Sequence, residues 1–158
     1  MKPVIAISTQ VNAPVDRVFD LFSDLRNAPG RIKAIKKLEV LTDGPIRKGT
    51  RFRETRIMFN KEDTVEMEVT EFEPGRSYTI GGNSCGCEFA WTLRFAPSGS
   101  ATNVEMEMRT RAVSLFAKIM SPLSKLMMGP MMKKCMEQDM ADLRAIAESN
   151  GVARASST

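Results

Sequence analysis

Apolar and polar positions change their spacing twice along this chain, and the two changes divide it into three parts. Residues 4–11, Val-Ile-Ala-Ile-Ser-Thr-Gln-Val, are a β-branched run that predicts a first strand. Val15, Val18, Phe19 and Phe22 then recur at helical spacing and predict an amphipathic helix ending near Asp24. Asn12 or Ala13 is expected at its cap, Pro14 in the first turn, and Asp16 at the positive end of the dipole. After the break at Asn27-Ala28-Pro29-Gly30, a short second helix is expected over 29–35.

From Lys37 the period becomes two. Lys37 to Leu41 reads as a strand, followed by a turn over 42–45. Thr50, Phe52, Glu54, Arg56 and Met58 share one face of the next strand, and Phe59-Asn60-Lys61 turns the chain. Val65, Met67 and Val69 alternate with Glu66, Glu68 and Thr70, an apolar-in, polar-out strand. Pro74-Gly75 turns again before a strand from Tyr78 to Ile80. Cys87, Phe89, Trp91, Leu93 and Phe95 mark the inner face of another, and Val104, Met106 and Met108 that of the last. The final third is helical. Ser114 caps a segment through Met120, and Ser121-Pro122 signals a fresh start. A long helix then runs to about Glu148 with an expected kink at Gly129-Pro130, stopping before Asn150-Gly151. Hairpin-linked strands closed by one long helix make an α+β domain.

Composition narrows the chemistry. The 158 residues suit a single domain, expected over 1–150, with 151–158 as a disordered tail. No histidine is present, which excludes a Ser-His-Asp triad, a Cys-His pair and any imidazole-held metal. The three cysteines, Cys85, Cys87 and Cys135, lack a fourth ligand, so neither a metal nor another cofactor is expected. Their odd number and the absence of a signal-peptide pattern at the start favour a reducing cytoplasm. No apolar run is long enough to span a membrane. The net charge of +4 is unevenly spread: residues 26–61 hold eleven basic and three acidic side chains, and 62–73 hold six acids and no base. That arrangement fits two neighbouring strands pairing charge across a hairpin, with Arg53 near Glu68, better than a nucleic-acid surface.

Four stretches carry a family resemblance: the segment from Asn12-Ala13-Pro14-Val15-Asp16 to Asp24-Leu25; Gly49-Thr50 before a strand; Val69-Thr70-Glu71-Phe72-Glu73-Pro74-Gly75-Arg76; and the closing Asp142-Leu143-Arg144-Ala145-Ile146-Ala147-Glu148. In these the chain resembles the START-like (SRPBCC) superfamily, which includes the polyketide cyclase/dehydrase, lipid-transport and birch-pollen-allergen types. The resemblance covers nearly the whole chain. It implies a helix-grip fold: a curved seven-stranded antiparallel sheet wrapped on a long C-terminal helix, with two short helices between strands 1 and 2. It further implies an apolar cavity between sheet and helix.

The methionines gain meaning beside that fold. Of twelve, Met120, Met127, Met128, Met131, Met132, Met136 and Met140 belong to the C-terminal helical region, and Met58, Met67, Met106 and Met108 to inner strand faces. Each serves either as plain core or as a pliable cavity lining, since an unbranched thioether re-packs around differing ligands. The residues expected to line a ligand site are Phe52, Met58, Met67, Tyr78, Phe89, Trp91, Met106, Met108, Met128, Met132 and Met136. Glu54 and Arg56 share the inward parity of Phe52, where unpaired charge is costly. They either pair internally, or anchor a polar ligand head, or turn outward at a bulge. The leading expectation is therefore intracellular binding of a small hydrophobic or amphipathic ligand: a lipid, isoprenoid or polyketide-like molecule. A second is a cyclase or dehydratase for a polyketide-like substrate, with Glu54 as base, Arg56 as electrostatic stabiliser and Tyr78 as proton donor. A third is a protein-interaction role through the Met-rich kinked helix, with a homodimer as one form.

Overall fold

The computed structural model describes the backbone of residues 2–155, and the side chains of 5–120 and 129–149. Strand β1 (Lys2–Val11) leads into helix α1 (Val15–Ser23) and a 3-10 turn (Leu25–Gly30). Six strands follow: β2 (Ile35–Val40), β3 (Arg51–Met58), β4 (Lys61–Glu73), β5 (Ser77–Ser84), β6 (Cys87–Ser98) and β7 (Ala101–Ala112). Helix α2 (Leu115–Ala155) closes the chain. All seven strands form one antiparallel sheet in the order β1-β7-β6-β5-β4-β3-β2. Every neighbour pair is a sequential hairpin except β1–β7, which α1 and the 3-10 turn make possible by carrying the chain to the opposite edge.

Local signals explain most of this, and four expectations need correction. Pro14 is not in the first turn of α1 but at its cap, in extended conformation, with no side-chain cap bond; neither Asn12 nor Ala13 fills that place. Pro14 lacks an N–H, so the position that needs no donor suits it. The second short helix lies earlier than 29–35 and is of 3-10 type, closed by Arg31 donating its N–H to Ala28. Ser121-Pro122 starts nothing: α2 runs on from Leu115, capped by Ser114, whose Oγ accepts the Ala117 N–H at 3.1 Å. A cap that is satisfied one turn earlier sets the start. Finally, α2 continues past Glu148 to Ala155, and residues 156–158 of the expected tail lie outside the described residues.

The charge blocks do pair across the β3–β4 hairpin, but two residues off the expected register. Arg53 faces Glu66, and Arg51 faces Glu68 while its side chain bonds Glu66. The turn holds two residues rather than three: Met58 pairs Lys61, and Phe59 and Asn60 both have positive φ (53° and 61°). Two successive left-handed residues are what a tight hairpin of right-twisted strands requires.

The sheet curves over the second half of α2. There Met136, Met140, Leu143 and Ala147 pack on Ile5, Val104, Met106 and Met108, with Phe19, Phe22, Tyr78, Leu93 and Phe95 completing the main core. Phe19 meets the rings of Phe72, Tyr78 and Phe95 edge-on at 5.3–6.1 Å between centroids. A smaller cluster of Leu25, Phe52 and Val69 sits under the 3-10 turn. The core is thus concentrated under α1 and the C-terminal half of α2, which leaves the other end of the sheet's concave face less filled.

Candidate functional site

A cavity of about 810 Å³ occupies that unfilled end, between the concave face of the sheet and α2. This volume lies within the range of small-molecule sites, roughly 300–1,000 Å³. Strand alternation builds its wall. Met58 from β3, Met67 from β4, Ile80 from β5, Phe89 and Trp91 from β6, and Met106 and Met108 from β7 all project inward. Helix α2 contributes Phe116, Met120, Met132 and Leu143, and the 3-10 turn contributes Leu25 and Ala28. The two hairpin ends at Phe59 and at Ser84-Cys85 line it too, beside the first turns of α2.

Gly82 shows how the sheet makes room. A Cβ there would stand 2.5 Å from the ring of Phe89, its cross-strand neighbour, and 3.1 Å from Met67. The absent side chain lets the Phe89 ring lie over β5, so Gly82 serves packing at the cavity wall.

Of the residues expected to line a site, Met58, Met67, Tyr78, Phe89, Trp91, Met106, Met108 and Met132 are brought together around this cavity. Phe52 and Met136 are not: each is 1% exposed and sits in a core cluster. Phe52 is covered by Leu25 of the 3-10 turn, and Met136 lies where sheet and helix close on each other. The side chain of Met128 lies outside the described residues. Met131 of α2 is exposed.

Polar groups are few and converge. Glu54 and Arg56 keep their inward parity and face the cavity. The Arg56 Nε donates to Glu54 Oε1 at 2.7 Å, and an Arg56 terminal nitrogen donates to Asp139 Oδ2 of α2 at 2.8 Å. The three side chains are only 13–15% exposed. Burial raises the pKa of Glu54 and of Asp139, with the guanidinium opposing the shift in each. The other oxygen of Asp139, Oδ1, is shut off from solvent and accepts no hydrogen bond. Asp139 was absent from the expected set. It stands three residues after Met136 and seven after Met132, on the apolar stripe of the helix. A carboxylate at that spacing is the signal that marks it, because inward charge on a core face needs a partner.

Tyr78 presents its ring to the cavity, but its hydroxyl is turned away, donating to the Phe22 carbonyl at 2.9 Å. Burial pushes its phenol pKa up, which keeps it a neutral donor. Among the described residues no group of three or more His, Cys, Asp or Glu is arranged to hold a metal ion, and no helix is long and apolar enough to cross a membrane.

Comparison with known proteins places this geometry. No curated protein sequence matches the chain. Solved structures with the same fold include the ZhuI aromatase/cyclase from Streptomyces sp. R1128, at 15% identity and TM-score 0.73, covering 91% of this chain and 92% of that one. Truncated norcoclaurine synthase from Thalictrum flavum matches at 17% identity and TM-score 0.67, with coverages of 90% and 91%. Major latex-like protein 151 from Panax ginseng matches at 11% identity and TM-score 0.72, with coverages of 90% and 95%. These likenesses establish the helix-grip fold, and the START-like resemblance drawn from the sequence holds. Residues 3–148 match the model of the polyketide cyclase / dehydrase and lipid transport family, and the chain belongs to that family.

Proposed function

We propose that this protein binds a small, largely apolar molecule in the cavity between sheet and α2. The observation that carries the reading is the lining itself. Methionine and aromatic side chains from β3 to β7 face Met120, Met132 and Phe116 of α2 across about 810 Å³, with charge confined to the Glu54-Arg56-Asp139 cluster, the Asp24-Arg31 pair and the hairpin end at 61–63. Pliable thioethers on opposing walls suit a ligand that varies in shape. The free cysteines, of which Cys85 is exposed, fit a reducing compartment such as the cytoplasm. Trp91, the only tryptophan of the chain, lines the cavity and supplies a built-in reporter. Delipidated protein titrated with fatty acids, isoprenoids, polycyclic aromatics and polyketides is expected to show a saturable change in Trp91 emission with at least one class. Absence of any change across all four overturns the reading.

A second reading is favoured by the inward position of Glu54 and Arg56. A cyclase or dehydratase acting on a polyketide-like chain would use the cavity to fold the substrate and the cluster to move a proton. Burial raises the pKa of Glu54, with the Arg56 guanidinium opposing the shift, and a carboxyl so placed is a candidate to move a proton. Under this reading Glu54→Gln abolishes conversion of a poly-β-keto thioester while leaving its binding intact. A Glu54→Gln variant that converts as well as the parent removes the enzymatic reading and leaves the binding one.

A further inference from the structure

The charges in the cavity wall do not cancel. Arg56 is bracketed by two carboxylates, Glu54 at 2.7 Å and Asp139 at 2.8 Å, so one guanidinium serves two acids. The other cations lining the cavity do not make up the difference. Arg31 is held by Asp24 at 2.9 Å. Lys61 stands at the hairpin end, followed by Glu62 and Asp63, and Asp63 is the cross-strand neighbour of Arg56. Asp142, on the same side of α2 as Asp139, is buried, accepts the Lys33 N–H at 2.9 Å and has the Lys33 ammonium 3.9 Å away, so it is balanced by its own cation and lends none to the cluster.

A second observation is independent of charge. Asp139 Oδ1 accepts no hydrogen bond, and it is the one buried side-chain oxygen or nitrogen so left among the described residues. The carboxylates of this cluster have more acceptor sites than the chain supplies donors. Asp139 and Glu54 both line the cavity, and a carboxylate oxygen accepts more than one hydrogen bond, so a donor arriving from the cavity finds acceptors in the cluster beside the Arg56 bonds.

Resting on the reading of the cavity as a ligand site, we infer that it selects apolar molecules bearing a hydrogen-bond-donating head, a hydroxyl or a protonated amine, and rejects free carboxylates. A ligand O–H or N–H supplies the donor the cluster lacks, and an ammonium also balances its surplus negative charge. A carboxylate head offers neither: it brings a third anion to a guanidinium that two already occupy.

Three ten-carbon straight-chain compounds with different heads test this: 1-decanol, decylamine and decanoate, with pyrene as a headless probe, each titrated at pH 7 against Trp91 emission. Decanol and decylamine are expected to bind at least tenfold more tightly than decanoate. Asp139→Asn removes one negative charge at constant shape, and at least a tenfold relative gain of decanoate over decylamine is expected. Glu54→Gln gives the same charge change from the sheet side, should the helix variant not fold. Decanoate binding as well as decanol in the parent protein, or head preferences unmoved in both variants, overturns the inference. Pyrene binding without head discrimination overturns the inference alone, whereas no binding by any of the four probes overturns the cavity reading with it.

Discussion

Tyr78 illustrates how a single buried polar atom fixes a junction. Its ring stacks on Phe95 at 6.0 Å and meets Phe19 edge-on, while its hydroxyl donates to the carbonyl of Phe22 in the last turn of α1. That carbonyl belongs to a helix end, where acceptors have no partner within the helix. Tyr78→Phe keeps the ring and removes the bond, leaving a buried acceptor unsatisfied at a cost of about 1–2 kcal/mol. The midpoint of chemical denaturation is expected to fall accordingly, with pyrene affinity within twofold of the parent. Equal stability of parent and variant would show that the bond contributes nothing. Met136→Ala makes a contrast in size. Its side chain is 1% exposed in the main core, and truncation is expected to cost about 2–5 kcal/mol. Alternation within β3 and β5 makes the inward direction of Glu54, Arg56 and Tyr78 legible from sequence. Their partners are not, because Asp139 and the Phe22 carbonyl are brought in by other elements far along the chain.

Element by element, the turns decide more than the strands. The β5–β6 hairpin closes through Cys85 and Gly86, both at positive φ (52° and 73°). The Gly86 carbonyl then accepts the N–H groups of Val113 and Ser114, at 2.9 and 3.1 Å, which ties the hairpin end to the start of α2. A Cβ on Gly86 would collide with the Ser114 Oγ and lie 2.9 Å from its Cβ. Gly86→Ala therefore combines left-handed strain with displacement of the residue that caps α2. Gly99, with φ 61° and open space around it, is the control that carries strain alone. Gly99→Ala is expected to cost about 1 kcal/mol and Gly86→Ala about 2–3 kcal/mol. Amides of 115–118 should exchange faster with solvent in Gly86→Ala only. Equal losses in the two variants would mean that hairpin and helix are not coupled. Sequence spacing located this turn as a break between strands but not its role, since the contact joins residues that no local pattern relates. The same limit explains the register error in β3–β4. Phe59 is a poor left-handed residue by type, so the three-residue turn looks reasonable until Met58 and Lys61 are seen to pair.

At the scale of the whole molecule, hairpin order makes six of the seven strands readable as a meander, whereas the closure of β1 on β7 rests on pairing between the two ends of the fold. That closure brings the first loop onto α2, where the Asn12 N–H donates to Glu148 at 3.1 Å and Arg144 donates to the same oxygen at 3.0 Å. Bonding to that donor pair lowers the pKa of Glu148, and the Arg109 side chain lowers that of Glu107 in the same way. A lowered carboxyl contributes stability that is present above its unfolded value, near 4.5, and lost as pH falls through the folded one. The two side chains are 29% and 15% exposed, so salt weakens this acid limb only in part. Glu54 and Asp139 act with the opposite sign, because burial raises them. Between their unfolded and folded values the folded chain holds more protons, so stability falls as pH rises through that window. The groups facing this pair are Arg56 and Asp63 from the sheet, with Asp142 on α2. Their arrangement leaves the cluster net negative once both acids ionise. The melting temperature is therefore expected to peak in mild acid and to decline over the interval above it in which these two acids ionise. Asp139→Asn and Glu54→Gln each leave one acid for Arg56 and should flatten the decline while keeping the acid limb. A parent melting temperature that stays level or rises over that interval, or a decline that persists in both variants, would show that the buried cluster does not govern stability above mild acid.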